Sequence, residues 1–198
     1  MGARTYWSAP VPQLGFTSLA VLSFTTATLT DISPYQVILQ PGMLEVGTRV
    51  RIRAYGEYTA TTTASTLTWG FYMNSTLTNN IATTPATLAA TASTAAVVAT
   101  AWPWMLDYEG QIRAITDPTV GATNAQIYGM GKSFLPVTNI TSWTLQAMPI
   151  TSALRTVQQT ATGLVTNIAQ TVSVGLTVGT NTGFTSATCD ELTVELLG

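Results

Sequence analysis

The sequence contains no histidine, a single lysine (Lys132) and a single cysteine (Cys189). Without imidazole there is no Ser-His-Asp or Cys-His constellation and no histidine metal ligand, and one lysine leaves little amine chemistry. One cysteine makes neither an intrachain disulfide nor a Cys-based zinc site, so Cys189 reads as a buried bystander thiol. Charge is scarce too: 8% of the 198 residues are charged, against about 25% in an average soluble domain. Seven basic and nine acidic residues leave a net charge of -2. No strongly basic face is available for phosphate, and nucleic acid is not an expected partner. No run of 18 uninterrupted apolar residues is present, so no membrane span is expected. "MGARTYWSAPVPQLGF" lacks the apolar region of a secretory signal, and Tyr6 stands where myristoylation needs Ser or Thr. Asn74-Ser75-Thr76 and Asn139-Ile140-Thr141 match the glycosylation sequon, but in so Thr-rich a chain without a secretory signal they read as coincidences.

What is present points to strands. The chain is 46% hydrophobic and roughly a fifth of it is Thr, a β-branched polar residue suited to the wet face of a pleated sheet. A single all-β domain can take a chain of this length, and one is expected over residues 21–198. Residues 1–20 hold Tyr6, Trp7, prolines and glycines with little periodicity and read as an extended N-terminal arm. A first strand is expected in "LAVLSFTTATL" from Leu19, and a second in "YQVILQPGML", stopped by Pro41-Gly42. In "RVRIRAYGEY", Val50, Ile52, Ala54, Gly56 and Tyr58 share one face, and Arg49, Arg51, Arg53, Tyr55 and Glu57 share the other. "LTWGFYM" repeats the pattern with Leu67, Trp69, Phe71 and Met73 inward. The intervening "TATTTAST" suits a hairpin connection, and Gly56 and Gly70 fit bulges or close backbone approach.

The uncharged segment 74–101 leaves two readings open: a short Ala-supported helix near residues 86–99, or a long loop with one partly exposed strand. Strands follow in "WPWMLDYEGQIRAI", "NAQIYGMGKSFL", "SWTLQAM", "QTVSVGLTV" and "CDELTVELL". Val172, Val174, Leu176 and Val178 share a face, as do Leu192, Val194 and Leu196. Residues 150–169, between "SWTLQAM" and "QTVSVGLTV", read as a connection with room for one helical turn. Half-buried strands without βαβ alternation or a fixed-period repeat predict an all-β fold. The expected architecture is an antiparallel two-sheet sandwich, with a jelly roll the favoured topology.

The stretch "WPWMLDYEGQIRAI" (102–115) invites a chemical reading, because it sets aromatics beside Asp107 and Glu109 as a sugar-cleaving site does. Alternation separates them. Trp104, Leu106, Tyr108, Gly110, Ile112 and Ala114 fall on one face, and Met105, Asp107, Glu109, Gln111 and Arg113 on the other. The two carboxylates sit about 6.6 to 6.8 Å apart along one strand. That spacing suits a glycosidase, but the pair lies side by side instead of flanking a scissile bond in a cleft that raises one pKa. They are expected to pair with Arg113 or with the arginine face of residues 49–53. Trp102, Trp104 and Trp143 read as core more than as sugar platforms, with Trp102 beside Pro103 the candidate exception. Gly129–Ser133 lacks the glycine spacing and following helix of a phosphate-binding loop. No catalytic residue, metal site or cofactor is expected, and the chain is not read as an enzyme. Low charge with high apolar content instead implies surface covered by other copies or by another protein.

The order "RVRIRAYGEYTATTTASTLTWGFYMNST", "WPWMLDYEGQIRAI", "NAQIYGMGKSF" and "ELTVELLG" resembles small jelly-roll structural proteins of tailed bacteriophages. Those pair a "G...Y....T....LTWGFY" strand pattern with an aromatic-acidic W-x-[LM]-[DE] strand and close on a short V-E-L strand. Within that group the chain is similar to capsid decoration (cement) or minor head proteins, and next to minor tail proteins, over roughly residues 48–198. The resemblance implies a structural virion protein, made in the host cytoplasm, that binds the major capsid protein on the capsid exterior as a homotrimer and stabilises the shell. Arg4, Tyr6 and Trp7 are then candidate capsid contacts in the arm, and Arg51, Arg53, Asp107, Glu109 and Arg113 are candidate inter-subunit residues. Segment 74–101 would meet another subunit, or solvent at the tip. A receptor- or carbohydrate-binding tail module on the same fold is the alternative, and would expose an aromatic such as Trp102 or Tyr55.

Overall fold

A computed structural model describes residues 7–8, 27–35, 37–61, 66–74, 86–91, 94–95, 98–115, 125–136, 143–148, 166–179 and 182–197. Every regular element among them is a β-strand. These are β1 (Trp7–Ser8), β2 (Leu29–Asp31), β3 (Val37–Leu39), β4 (Arg49–Ala60), β5 (Thr66–Asn74), β6 (Ala86–Ala90), β7 (Thr94–Ala95) and β8 (Ala99–Ala114), followed by β9 (Gln126–Pro136), β10 (Trp143–Met148), β11 (Gln170–Val178), β12 (Phe184–Ala187) and β13 (Glu191–Leu197). The larger sheet runs β1-β13-β4-β8-β9-β10, with β12 also on β4; the smaller runs β2-β11-β5-β6, with β3 on β11 and β7 on β5. All pairs are antiparallel, and the two sheets pack face to face around one core. The expected first strand lies mostly outside the described residues, as does the connection over 150–169. The second strand is β3, and the chain turns at Gly42 with φ 85°, a conformation glycine adopts without a Cβ penalty.

The β4–β8 ladder is the centre of the larger sheet. Val50, Ile52, Ala54 and Tyr58 on β4 and Trp104, Leu106, Tyr108 and Ile112 on β8 are all buried, on the face that period-two alternation assigns to the core. Near its start β8 carries one extra residue: Tyr58 pairs Trp102 and Ala60 pairs Ala99, a bulge in which Ala101 takes φ 52°. The bulge restores Ala99 to the inner face and bends the strand.

Aromatics hold the sheets together. Trp69 of the smaller sheet lies on Trp104 of the larger at 4.7 Å between ring centroids, and Tyr58 meets Trp69 edge-on at 6.1 Å. The Trp104 indole N–H donates to Thr188 O at 3.1 Å and to Glu57 O at 3.3 Å, so the buried ring keeps its polar atom satisfied. Thr188 belongs to the break between β12 and β13, and its carbonyl presses onto Gly56, where a Cβ would collide with backbone. That is the close approach expected of Gly56.

Elsewhere tyrosines fill the space that glycines leave. Gly110 pairs Gly129 across β8 and β9, and the Tyr108 ring lies over both: a Cβ on Gly129 would fall 2.5 Å from Tyr108 Oη and 2.6 Å from Glu109 O. Tyr72 covers Gly70 in the same way, 2.8 Å from the Cβ position. This is the aromatic cover of sheet glycines. The Tyr108 hydroxyl has no hydrogen-bond partner among the described residues, and burial raises its pKa. Farther along β9, a Cβ on Gly131 would sit 2.9 Å from Ala89 Cβ, so β6 and β9 approach closely where only small residues face each other.

The expected β4–β5 hairpin is corrected: the two strands lie in different sheets, each burying its apolar face against the shared core. Of the two readings of segment 74–101, the described residues of 86–99 carry strand and not the helix. β6 pairs with β5, and Ala86, Leu88, Ala89 and Ala90 are buried, since alanine's small size lets the strand fit against β9. Part of the outer face of the smaller sheet is covered: Thr171, Ser173 and Tyr72 are buried at 1%, 0% and 5% exposure, while Thr68, Thr87 and Thr177 are half-buried.

Three outcomes follow for thermal or urea unfolding. Gly56→Ala should cost about 3 kcal/mol, the upper end for overpacking against atoms that cannot move aside. Tyr108→Phe should be neutral or stabilise by about 1 kcal/mol, because it removes an unsatisfied buried hydroxyl while keeping the ring over the glycines. Tyr108→Ala, which removes that ring, should cost about 3–5 kcal/mol.

Candidate functional site

The outward residues of β13, β4, β8 and β9 form four columns locked in rows by the strand register. Glu195, Arg51, Glu109 and Met130 make one row; Thr193, Arg53, Asp107 and Lys132 make the next. Glu191, Tyr55, Met105 and Phe134 lie on one side of these, and Leu197, Arg49, Gln111 and Tyr128 on the other. Half of the chain's seven basic and nine acidic residues stand on this one face. Folding places them there because each is out of phase with the buried apolar residues beside it.

The charges neutralise one another across strands. Glu109 accepts from Arg49 and, at 3.1 Å, from Arg51, which also reaches Glu195 at 3.4 Å. Asp107, whose side chain is 15% exposed, sits 3.7 Å from Arg53 and 3.5 Å from Lys132. Tyr55 donates its hydroxyl to Glu191 at 2.6 Å. The Arg49 and Arg51 hydrogen bonds hold the Glu109 carboxyl below its ordinary value of 4.5, and those from Tyr55 and Thr193 do the same for Glu191. Exposed pairs of this kind contribute only about 0–1 kcal/mol each. They pattern the surface more than they stabilise the fold.

Arg51, Arg53, Asp107, Glu109 and Lys132, with Met130 and Gly131, line a shallow open depression of about 280 Å³. Its walls are charged, whereas small-molecule pockets are mostly apolar and concave. A carboxylate held ionised by arginine suits ion pairing and not proton donation. Around the charges, Tyr55, Tyr128 and Met130 remain 46%, 41% and 73% exposed. Tyr, Met and Arg together are the residue types enriched at protein interfaces.

Among the expected inter-subunit residues, Arg51, Arg53, Asp107 and Glu109 come together here. Of the two partners expected for the acids, Arg113 or the arginine face of residues 49–53, it is the arginine face that meets them. Their partners are the β4 arginines and Lys132, while Arg113 lies 5.9 Å over the Tyr128 ring, beyond a register shift between Ile112 and Ala114. Of the arm residues, Trp7 lies in β1 opposite Leu196, and Arg4 and Tyr6 lie outside the described residues. Trp104 is core, Trp102 is half-buried against the core, and the Trp143 side chain lies outside the described residues. Glu195, Lys132 and the Tyr55–Glu191 contact were not anticipated. Their signal was strand parity, since Glu191 and Glu195 alternate with Leu192, Val194 and Leu196, and Lys132 shares its phase with Met130.

Away from this face, Asp31 is half-buried and Cys189 is buried. Asp31 is raised above its ordinary value by burial, against hydrogen bonds from Ser33, whose backbone N–H donates to Oδ1 at 2.9 Å. The Cys189 thiol is buried and donates to Glu191 O at 3.3 Å, and burial raises its pKa well above the ordinary range. No group of three metal-ligating side chains occurs among the described residues, and no helix there is long and apolar enough to cross a membrane. Compared with known proteins, the chain matches no family model, no curated protein and no solved structure.

The lowered Glu109 pKa fixes a pH dependence. A depressed carboxyl favours the folded state above its ordinary value of 4.5 and loses that contribution as pH falls through the folded value. Glu109→Gln should therefore cost less than about 1 kcal/mol at neutral pH. In thermal unfolding followed by circular dichroism, its difference from the native chain should shrink towards zero below pH 4.5.

Proposed function

We propose that this chain is a structural protein of a bacteriophage particle, one that binds the capsid exterior as a trimer and stabilises the shell. The observation that carries the proposal is the outer face of the larger sheet. It is open, holds half the chain's charge in neutralised pairs, and exposes Tyr and Met around them, which suits contact with another protein surface better than turnover of a substrate. The strand order supports the jelly-roll topology to which the resemblance points. With each broken strand taken as one and β9–β10 set aside, eight strands run 1-8-3-6 in one sheet and 2-7-4-5 in the other, the double Greek-key order of a jelly roll. Such a protein works by mass action: contacts made only to the assembled shell stabilise that state. Three-fold attachment strengthens binding without strong single contacts.

Quantitative mass spectrometry of purified particles carrying the chain tests this directly. The proposal requires copy numbers on the order of hundreds, as multivalent coverage of a shell demands. A handful of copies would favour the tail module, for which Tyr55 and Tyr128 are exposed aromatics. A monomer with no affinity for any shell would contradict the capsid reading.

A further inference from the structure

We propose that the outer face of the larger sheet is a docking surface for a second copy of this chain, related by a two-fold axis running along the strands between β4 and β8. The contact goes beyond the virion reading and does not depend on it. Its basis is the sign of the four columns. β13 is acidic through Glu191 and Glu195, β4 basic, β8 acidic, and β9 basic at Lys132 with Met130 and Tyr128 alongside.

Rotation about that axis lays the second face over the first, keeps every row at its own height and reverses the order of the columns. Arg53 then meets the partner's Asp107, and Arg51 meets the partner's Glu109. Tyr55 covers the partner's Met105, and Tyr128 covers the partner's Leu197. A two-fold running across the strands would instead set β4 on β4 and arginine on arginine, which like-charge repulsion opposes. Charge thus selects one axis, and an isologous contact needs this self-complementarity.

The donors for such a contact are open. Arg53 and Lys132 remain 59% and 53% exposed despite their contacts with Asp107. Strand spacing and rise give a face of roughly 20 by 25 Å, or about 500 Å² per copy, at the low end of specific interfaces. The dimer is accordingly dissociable and weakened by salt. In a trimeric assembly, the same contact would join one trimer to the next.

Zero-length carbodiimide cross-linking of the native chain gives the sharpest test, because Lys132 is the only lysine. Within one chain, β9 and β13 are three strand spacings apart, about 14 Å, too far for a Lys132–Glu195 bond. Across the two-fold, Lys132 faces the partner's Thr193, between the partner's Glu191 and the partner's Glu195. A dimer band containing Lys132 joined to Glu191 or Glu195 is expected. Sedimentation velocity should show a monomer–dimer equilibrium, weakened about tenfold by Met130→Glu, an exposed substitution that spares the core. Arg51→Glu/Arg53→Asp and Asp107→Arg/Glu109→Arg variants should each fail to self-associate, yet form a heterodimer when mixed. Absence of the cross-link together with a monomer at high concentration overturns the proposal. So does a Met130→Glu variant that loses shell binding but keeps its self-association, which would assign the face to another partner. A chain that cross-links as expected but binds no shell keeps this contact and removes the virion function.

Discussion

The register between β4 and β8 is the constraint on which the rest depends. It runs from Arg49–Gln111 to Tyr58–Trp102 without interruption, and it sends Val50–Gly110, Ile52–Tyr108 and Ala54–Leu106 inward and Arg49–Gln111, Arg51–Glu109 and Arg53–Asp107 outward. A slip of one residue would turn one of the two strands over, burying either the three arginines of β4 and exposing Ile52, or the two carboxylates of β8 and exposing Leu106 and Tyr108. Each large apolar side chain so lost would forfeit about 1.5–3 kcal/mol, far more than the exposed ion pairs could return. The charged face is therefore a consequence of the core, positioned by residues on the other side of the same strands.

The core itself is uneven. At one end Trp69, Trp104 and Tyr58 bridge the sheets, and Trp104 also ties the β12–β13 break to β4 through Thr188. At the other, Gly131 and Ala89 bring β9 and β6 close together. Tyrosines restore packing where glycine pairs would leave the sheet bare. Thr and Ala, abundant and uncharged, thus serve as interior as well as surface, which is how a chain with so little charge closes a sandwich.

Period-two alternation made much of this legible. The inner and outer faces of β4, the inner face of β5 and the aromatic row of β8 follow from spacing alone, and so does the separation of Trp104 and Tyr108 from Asp107 and Glu109. What spacing does not carry is which strand lies next to which. The paired sequences of β4 and β5 look like a hairpin because both are amphipathic, yet they belong to opposite sheets. Alanine in 86–90 supports a helix by propensity, and only tertiary packing against Phe71 and Gly131 makes it a strand. The charged network was half visible, since Arg51, Arg53, Asp107 and Glu109 show their parity, but Glu195 and Lys132 reach them only through strand order. Arg113 follows the same parity and is diverted by a bulge that the sequence does not announce.

The folding logic leaves one face of one sheet with an ordered pattern of charge and with exposed Tyr and Met side chains, and contact with other molecules is the use that pattern fits. Hydroxyl-radical footprinting read at methionine tests this most directly. Met130 and Met105 are 73% and 37% exposed, whereas Met73 and Met148 are fully buried and serve as internal controls. Oxidation of Met130 and Met105 should fall when the dilute chain is brought to its assembled state, with Met73 and Met148 unreactive throughout. Equal oxidation of Met130 in the dilute and assembled chain would contradict the assignment of this face to assembly.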